Sequence, residues 1–250
     1  MAQSIGKAIQ VLDILSDAPL TPSEVSRRLD AHRSTALRIM ETLAEYRLIR
    51  KLPDGRYGIG AGLVAMAQRA LDQFTLMQLA HPHLVRLGEL HDQTVHFAEL
   101  QGDAIVYTDK IEPRRSIRLV SRVGDNVCLY TASVAKAILA FTPEPVRKDM
   151  LAGETFERLT PTTLTSVGAL EGVLEAVRER GWAYDDGEYE DYINCVGAPV
   201  RDAKGDVVAA VSVTELKARR DLRALEELVL EPLLDTAHAI SLELGWQPPR

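Results

Sequence analysis

The chain has 250 residues, of which 46% are hydrophobic and 26% are charged, a balance typical of a globular protein with one or two domains. No apolar run approaches the ~20 residues that a membrane span needs, and Asp13 interrupts the apolar pattern at the N-terminus without a cleavage site, so we expect neither a membrane protein nor a secretory signal. The formal charge is −7, but residues 1–60 hold nine Lys and Arg against seven Asp and Glu, a net of +2, so the acidity does not exclude a nucleic-acid contact near the start.

Two helices are predicted in the first 30 residues. Apolar residues repeat at helical spacing over residues 4–17, at Ile5, Ala8, Ile9, Leu12 and Leu15. Thr21, Pro22 and Glu24 then form a capping-box pattern: threonine caps the helix, glutamate follows three residues later, and proline takes the first helical position. A second helix is therefore predicted from Thr21 to about Leu29.

A third helix and a hairpin follow. Apolar residues recur at helical spacing and are expected to face the core. They are Leu37, Met40, Leu43 and Ala44. The polar residues left outside are Arg33, Ser34, Arg38, Glu41 and Thr42. The stretch LIRKLPDGRYGIG is typical of two short strands around a Pro-Asp-Gly turn. The order helix, helix, turn, helix, hairpin predicts a winged helix-turn-helix.

The exposed face of the third helix is a candidate DNA-binding surface, because in this fold the second helix of the motif enters the major groove. Arginine suits bidentate contacts with guanine, and hydroxyl groups suit phosphate oxygens. The predicted base contacts are Arg33 and Arg38, and the predicted phosphate contacts are Ser23, Ser34 and Thr35. At the hairpin tip, the residues predicted to contact phosphate or the minor groove are Arg50, Lys51 and Arg56. The alternative is an ordinary solvated helix face.

The rest of the chain alternates helices and strands without a regular βαβ count, which predicts the α+β class. Helical patterning runs from Gly60 to about Leu90, with interruptions near residues 73–75 and 80–83, and a second domain is expected to begin near Gln78. The later elements are predicted as a hairpin at 94–111, a strand at 116–124, helices at 133–141 and 166–181, a hairpin at 193–216, and a closing helix at 220–245 that Pro232 kinks or restarts.

Three stretches of the chain resemble the IclR family of transcriptional regulators. Residues 4–67 resemble its DNA-binding domain, and the stretches RVGDNVCLYTASVAKAILAF and CVGAPVRDAKGDVVAAVSV resemble its effector-binding domain. The motifs occur in family order, from about Ser4 to Gly245. The resemblance implies an α+β chain with an N-terminal winged helix-turn-helix at residues 1–62, a linker helix at 63–77, and a C-terminal mixed α/β, GAF-like effector-binding and oligomerisation domain at 78–250.

The resemblance also implies the partners of the two domains. A regulator of this kind is a cytoplasmic homodimer or dimer of dimers that binds a double-stranded DNA operator and a small-molecule effector. We therefore expect no cofactor, no metal ion, no membrane contact and no catalysis. The positions that match the family's effector site are Leu119, Val127, Ser133, Val134, Ala135, Asp185, Ile193, Cys195, Ser212 and Thr214. Ser212 and Thr214 are two residues apart on one predicted strand and so face the same side. The alternative is that Ser212 and Cys195 are small residues of a core.

The effector is predicted to be a small carboxylic acid, because backbone N–H groups at the start of the helix near Ser133 favour an anion. Tyr189 and Tyr192 lie close to one strand of the site and suit a flat or aromatic acid. The chain departs from the family pattern at three positions, which are Ala135 where glycine is usual, Tyr130 where histidine is frequent, and Cys128 where proline is frequent. The methyl group of Ala135 is expected to push the backbone away from a ligand.

Other chemistry was weighed against this interpretation. Cys195 would act as a nucleophile only with a base such as His96 within reach and a lowered pKa, and nothing in the sequence brings the two together. The two cysteines form no CxxC pair and suit a reducing compartment. A metal site would need several histidines close together. The candidates are His81, His83, His91 and His96, and their spacing matches no zinc signature. The acidic run DDGEYEDY lacks the EF-hand pattern and is expected to be a solvated loop.

A third class is an interaction protein without an effector. The connecting and closing helices are long and amphipathic, which favours self-association, although packing within one chain explains them equally well. Such a scaffold would gain no stability from any small ligand, whereas a sensor gains about 2.7 kcal/mol at a ligand concentration one hundred times its Kd.

Overall fold

The structure is a computed structural model, and it describes residues 2–71, 75–113 and 121–248. Contacts divide the chain into two compact units, Met1–Thr75 and Leu76–Arg250. The hydrophobic core of the first unit is separate from the two clusters of the second. Within the described ranges, no helix is long and apolar enough to cross a bilayer.

The first unit is a winged helix-turn-helix, as predicted. Its elements are α1 (Ala2–Asp17), α2 (Pro22–Arg28), α3 (Arg33–Glu45), β1 (Ile49–Lys51), β2 (Tyr57–Ile59) and α4 (Ala61–Leu71). β1 and β2 pair in antiparallel register, with Arg50 opposite Gly58. Val11, Val25 and Met40 are fully buried in one cluster, so α1, α2 and α3 share a core and the polar face of α3 is left outside.

The predicted capping box begins α2. The Glu24 N–H donates to Thr21 Oγ1 at 3.4 Å, and the Thr21 N–H donates to Glu24 Oε2 at 2.8 Å. Pro22 is the first residue of the helix, where its missing N–H removes no helical hydrogen bond. These contacts fix the start of α2, and α2 in turn packs against α3.

The second unit combines helices with an antiparallel sheet. Its helices are α5 (Leu76–His91), α6 (Ser133–Leu139), α7 (Glu144–Leu151), α8 (Val167–Arg180) and α9 (Leu222–Glu243). Its strands are β3 (Thr94–Gln101), β4 (Ala104–Ile111), β5 (Ala183–Asp186), β6 (Ile193–Arg201) and β7 (Val207–Leu216). In the described part of the chain these strands form a sheet in the order β4-β3-β7-β6-β5. The predicted α+β class is confirmed.

The sheet separates two hydrophobic clusters because side chains alternate along each strand. Phe97 of β3 and Val211 and Val213 of β7 pack with α5 and α9 on one face. On the other face α6 and α8 form the second cluster, which includes Leu170 and Ile138. The residues that alternate with the first set, such as Ser212, therefore lie on the α6 side of the sheet.

A predicted break in α5 is wrong, and the predicted restart of α9 does not occur. α5 continues through Pro82, although the sequence pattern predicts a break at residues 80–83. Leu84 is fully buried and Leu87 nearly so, and this burial outweighs the loss of the hydrogen bond that proline cannot make. α9 also runs through Pro232 without a restart.

Two short elements were not predicted, α7 and β5. Pro145 lies in the first turn of α7, a start signal that the sequence reading did not use. β5 has four residues, too few for a clear alternation. The predicted strand at 116–124 lies mostly outside the described residues, and residues 121–124 form no strand.

Candidate functional site

A cavity of about 330 Å³ lies in the second unit, on the α6 side of the sheet. Its walls come from the sheet, the start of α6, the segment that precedes α6 and the loop after β5. The described residues that line it are His96, Tyr107, Ser121, Asp125, Asn126, Val127, Cys128, Thr131, Ala132, Ser133, Val134, Asp185, Tyr189, Glu190, Ile193, Cys195, Ser212 and Thr214. The volume lies at the lower end of the range of about 300–1,000 Å³ for small-ligand sites.

The cavity brings together most of the predicted effector residues. Those that line it are Val127, Ser133, Val134, Asp185, Ile193, Cys195, Ser212 and Thr214. Ala135 does not line it, because its side chain is fully buried in the hydrophobic cluster of α6 and α8. Leu119 lies outside the described residues. Tyr189 lines the cavity and Tyr192 does not.

Strand register explains this convergence. Asp185 of β5 lies opposite Cys195 of β6, and Cys195 lies opposite Thr214 of β7. One step along the sheet, Ser212 of β7 has His96 of β3 on one side and Gly197 of β6 on the other. The result is two cross-strand rows of side chains that face the same way.

Gly197 leaves space for α6 above the second row. A Cβ atom at this position would lie 2.9 Å from the Ser133 carbonyl carbon and 3.0 Å from both the Ser133 carbonyl oxygen and Oγ. Only glycine therefore lets the start of α6 approach β6 this closely. This approach places Ser133 and Val134 in the wall of the cavity.

A hydrogen-bonded chain runs along the floor of the cavity. His96 Nε2 lies 2.8 Å from Ser121 Oγ, and His96 Nδ1 lies 3.3 Å from Thr214 Oγ1. Thr214 Oγ1 lies 3.2 Å from Cys195 Sγ. Burial lowers the pKa of His96 to about 3, so its ring is neutral at physiological pH, with one nitrogen donating and the other accepting.

The structure brings Cys195 and His96 to the same cavity, which the sequence did not indicate. They are bridged by Thr214. Burial raises the pKa of the Cys195 thiol well above its usual range, and Asp185 raises it further. A nucleophilic cysteine needs a lowered pKa, so this arrangement favours a thiol that contacts a ligand over a thiolate that attacks one.

His81 and His83 pair with carboxylates away from the cavity. His81 Nδ1 lies 2.6 Å from Asp109 Oδ2, and His83 Nε2 lies 2.8 Å from Glu243 Oε1. Within the described side chains, which do not include that of His91, no group of three or more His, Cys, Asp or Glu residues could hold a metal ion.

A buried ion pair lies beside the cavity. Lys136 Nζ is 2.6 Å from Glu188 Oε1, with side chains that are 0% and 7% exposed. The Glu188 N–H donates to Asp185 Oδ1 at 2.6 Å. Burial raises the pKa of Asp185 to about 6 and that of Glu188 to about 7, while the charge of Lys136 opposes both shifts. The prediction of a solvated acidic loop is wrong for these two residues.

Three threonine hydroxyls, which no local sequence pattern predicts, hold the loop after β5. Thr160 Oγ1 donates to the Gly187 carbonyl at 2.6 Å, and Thr163 Oγ1 donates to the Glu188 carbonyl at 2.6 Å. Thr162 Oγ1 contacts the same loop at 2.8 Å from the Gly187 carbonyl. The loop base is fixed in this way, and its next residues, Tyr189 and Glu190, line the cavity.

Replacing Asp185 with asparagine is expected to stabilise the second unit by about 3 kcal/mol at pH 8, since its pKa is raised by about two units from 3.8 to about 6. A raised carboxyl pKa means that the ionised form carries a cost in the folded state. That cost is complete above pH 6, shrinks between pH 6 and about pH 4, and is absent below. Asparagine keeps the Oδ1 acceptor for the Glu188 N–H.

Urea unfolding of the full chain between pH 4 and 8, followed through the transition of the second unit, measures this gain. Asp186→Asn is the matched control, because Asp186 is half-exposed and pairs with Lys217 at 2.6 Å. It should show no comparable pH-dependent gain. A gain at Asp185→Asn that is equal at pH 4 and pH 8 would contradict the assigned burial cost.

The predicted DNA contacts lie on the surface of the first unit. Arg33, Ser34 and Arg38 of α3 are exposed, and Thr35 is half-buried. Ser34 and Arg38 are four residues apart and so share one face of the helix. Ser23 is exposed in α2, and Arg50 and Lys51 are exposed on β1.

Arg56 differs from the other predicted contacts because an acidic neighbour holds it. Its Nη2 lies 2.6 Å from Asp54 Oδ2, and Nε donates to the same oxygen at 2.7 Å. This pairing raises the pKa of Arg56 and lowers that of Asp54. Its positive charge is therefore partly offset at the hairpin tip.

Comparison with known proteins decides the family. The family model described as "Bacterial transcriptional regulator IclR C-terminal" matches residues 68–242, which is more than half of the chain. The chain belongs to the IclR family. A second model, described as "HVO_A0261 N-terminal domain", matches residues 2–79. The match of residues 68–242 confirms the resemblance to the IclR family.

The IclR relatives span nearly the whole chain. The HTH-type transcriptional regulator KdgR of Escherichia coli is 30% identical over 248 residues, which cover 97% of this chain and 94% of KdgR. The crystal structure of the Thermotoga maritima IclR has 33% identity and a TM-score of 0.65, covering 98% of this chain and 100% of that one. The Agobacterium tumefaciens repressor BlcR has a TM-score of 0.81 at 24% identity, over 98% of each chain, which shows the shared fold.

The structure places the three positions that depart from the IclR pattern. The methyl group of Ala135 is in the hydrophobic cluster and takes no space from the cavity. Cys128 lines the cavity, and burial raises the pKa of its thiol. Tyr130 stacks on Phe156 with ring centroids 4.9 Å apart and donates to the Glu157 carbonyl at 3.2 Å. Of the three, Cys128 is thus the departure that lines the cavity.

Proposed function

We propose that the chain is a ligand-responsive, sequence-specific transcriptional regulator that binds an operator through its first domain and a small metabolite through its second. The observation that carries this proposal is the cavity of about 330 Å³ whose wall contains eight of the predicted effector residues. The proposed division is residues 1–62 for DNA binding, 63–77 for a linker helix and 78–250 for effector binding and oligomerisation.

The proposed effector is a small carboxylic acid. The first backbone N–H groups of a helix have no partner within it, and α6 begins at the cavity wall with Ser133 and Val134. Beside them the fully buried Thr131 hydroxyl has no oxygen or nitrogen partner and neighbours the Cys128 thiol. These groups supply donors for a carboxylate at one end of the cavity.

The other walls of the cavity bear on the rest of the effector. His96, Tyr107 and Tyr189 give three aromatic faces, which suit an aromatic or planar acid. Asp185 and Glu190 add carboxyl groups on the side of the β5 loop, and these groups accept hydrogen bonds from ligand hydroxyls. An acid with its carboxylate at α6 and polar substituents toward Asp185 fits this distribution.

DNA binding is tested first, with the full chain and the duplex upstream of its own gene against a scrambled duplex at ~150 mM salt. A specific site should bind at least about 10³-fold more tightly than the scrambled one. If both bind equally weakly, the assay is repeated with random genomic fragments. Failure to find any specific fragment would contradict the proposed function.

The effector class is tested by thermal unfolding of the full chain against a panel of aliphatic and aromatic carboxylic acids. The matched amides, sugars and amines are the controls. The correct acid should stabilise the second unit by about 2.7 kcal/mol at one hundred times its Kd and should change operator affinity. Stabilisation by sugars or amines alone would contradict the carboxylic acid assignment.

Self-association is part of the proposal. Val64 and Met66 of α4 are 67% and 49% exposed, and Leu242 of α9 is 48% exposed, so both long helices carry apolar surface. A homodimer or dimer of dimers would place two recognition helices on half-sites about one helical turn apart, or a multiple of it. Light scattering measures the mass, and a monomer at micromolar concentration would contradict this part.

A further inference from the structure

A second concave surface lies in the first unit, between α1 and α3. It encloses about 390 Å³ and is lined by Ser4, Ile5, Lys7, Ala8, Thr35, Arg38, Ile39, Thr42 and Leu43. We call it the α1–α3 groove. Apolar and polar side chains of both helices share its lining. It includes Arg38 and Thr35 of the predicted DNA surface and also Ser4 and Lys7 of α1, which are not among the predicted DNA contacts.

The groove is a cationic site without internal neutralisation. Lys7 and Arg38 both line it, and neither forms an ion pair or side-chain hydrogen bond with any described residue. No Asp or Glu is among the described lining residues. Arg56 at the hairpin tip is different, since Asp54 lies 2.6 Å away. The groove therefore presents two charges that are available to an anion from outside.

The hydroxyl groups of the lining complete the set of donors. Thr35 makes no side-chain hydrogen bond within the described residues, and Ser4 is exposed at the start of α1. Thr42 Oγ1 donates to the Arg38 carbonyl at 3.0 Å, so its proton is already used. Lys7 shares the lining with the apolar Ile39, and apolar surroundings strengthen the attraction between a cation and an anion.

We propose that the α1–α3 groove receives a backbone phosphate of the operator duplex and that Lys7 is its principal contact. This inference rests on the proposed binding of DNA by α3. When a recognition helix lies in the major groove, the duplex backbones run along its flanks. Lys7 lies on α1 at that flank, across the groove from Thr35 and Arg38.

Charge complementarity favours a phosphate over a second copy of the chain. A second copy would bring another segment of net charge +2 toward two unpaired cations. A duplex brings one negative charge per ~1.7 Å of its axis. Phosphate contacts carry no sequence information, so Lys7 is expected to add affinity without adding selectivity.

The test compares Lys7→Gln with wild type on the operator and on a scrambled duplex, in titrations from 50 to 300 mM salt. Each phosphate contact contributes about −0.9 to the slope of log K against log salt concentration. The slope for Lys7→Gln should therefore be shallower by about 0.9 for each Lys7 that contacts the duplex. Affinity at ~150 mM salt should fall about fivefold. Both duplexes should weaken by the same factor. Lys7→Arg, which keeps the charge, should restore wild-type behaviour.

Lys204→Gln is the matched control, because Lys204 is exposed in the turn between β6 and β7 and its loss changes the net charge equally. An unchanged slope for Lys7→Gln, or the same small change as Lys204→Gln, would overturn the proposed site. A Lys7→Gln variant that loses self-association in light scattering but keeps the slope would assign the groove to a protein interface instead. If the wild type binds no DNA, the proposed function fails first, and the wild-type titration shows this directly.

Discussion

Replacing Lys136 with methionine is expected to lower the free energy of unfolding of the second unit by about 3–5 kcal/mol at pH 8, which is the usual cost of leaving a buried charge without its partner. Lys136 has no exposed surface, and its ammonium group lies 2.6 Å from Glu188. The substitution leaves the Glu188 carboxylate buried, with its Oε2 atom already lacking a hydrogen-bond partner. Methionine fills a similar volume, so the loss is electrostatic rather than a matter of packing.

The loss of stability in Lys136→Met should grow as the pH rises. Burial raises the pKa of Glu188 from 4.5 to about 7, and Lys136 is the main influence that lowers it. Without Lys136 that pKa rises further, so the ionised form costs most above pH 7. Relative to wild type, the loss of stability shrinks as the pH falls and disappears below about 7, where Glu188 is protonated in the folded state of both proteins.

The double variant Lys136→Met with Glu188→Gln is the control, since it removes both charges together. It should recover more than half of the stability lost at pH 8, because replacing a whole buried pair is often nearly neutral. Denaturant unfolding at pH 6 and pH 8 separates the variants. A loss below about 1 kcal/mol for Lys136→Met at pH 8, or an equal loss in the double variant, would contradict the role assigned to this pair.

The sequence predicted the first domain almost completely because its signals are local. The Thr21–Glu24 capping box, the helical repeat through Met40 and Leu43, and the Pro-Asp-Gly turn each lie within a few residues of the element that they specify. The core contains Met40 and Leu43 as predicted, but the prediction is wrong for Leu37, which lies outside the cluster while Ala36 is fully buried in it. Lys7 was not found, because nothing in α1 indicates that it faces α3.

The lining of the proposed effector cavity could be predicted in part. Alternation along single strands places Ser212 with Thr214 and Ile193 with Cys195 correctly. His96 was assigned to no site, because its position beside Ser212 depends on the register between β3 and β7, which are far apart in the chain. Strand register of this kind is set by the whole sheet and not by a local motif.

The buried charges were hidden from the sequence for the same reason. Glu188 lies in a run of acidic residues that is typical of a solvated loop, and its partner Lys136 is 52 residues away. The threonines that hold the loop, such as Thr160 and Thr163, are distant as well. Only the tertiary structure shows that this acidic segment forms a wall of the cavity.

Replacing Gly197 with alanine is expected to weaken effector binding about 10- to 100-fold, which corresponds to the loss of one hydrogen bond to a charged group. The new Cβ would lie 2.9 Å from the Ser133 carbonyl carbon, and real Cβ atoms do not approach backbone so closely. The start of α6 must therefore move away from β6. That movement displaces Ser133 and Val134, which line the end of the cavity proposed to hold the carboxylate.

Stability should fall as well, by about 1–3 kcal/mol, because the added methyl group overpacks the contact between α6 and the sheet. Gly172→Ala is the matched control: Gly172 lies inside α8 with no atom within 4 Å of its new Cβ. The free energy of unfolding of Gly172→Ala should rise by about 0.5–1 kcal/mol, because alanine is the better helix former. This variant should bind the effector as the wild type does.

Isothermal titration of both variants with the acid that most stabilises the wild type measures the effect on binding. Thermal unfolding in the absence of ligand measures the effect on stability. If Gly197→Ala loses stability but binds the acid normally, the start of α6 does not hold the carboxylate, and the site must be assigned to the Asp185 side of the cavity. Because Gly197 itself contributes no side chain, a loss of affinity at this position reports the placement of α6 and not the removal of a ligand contact.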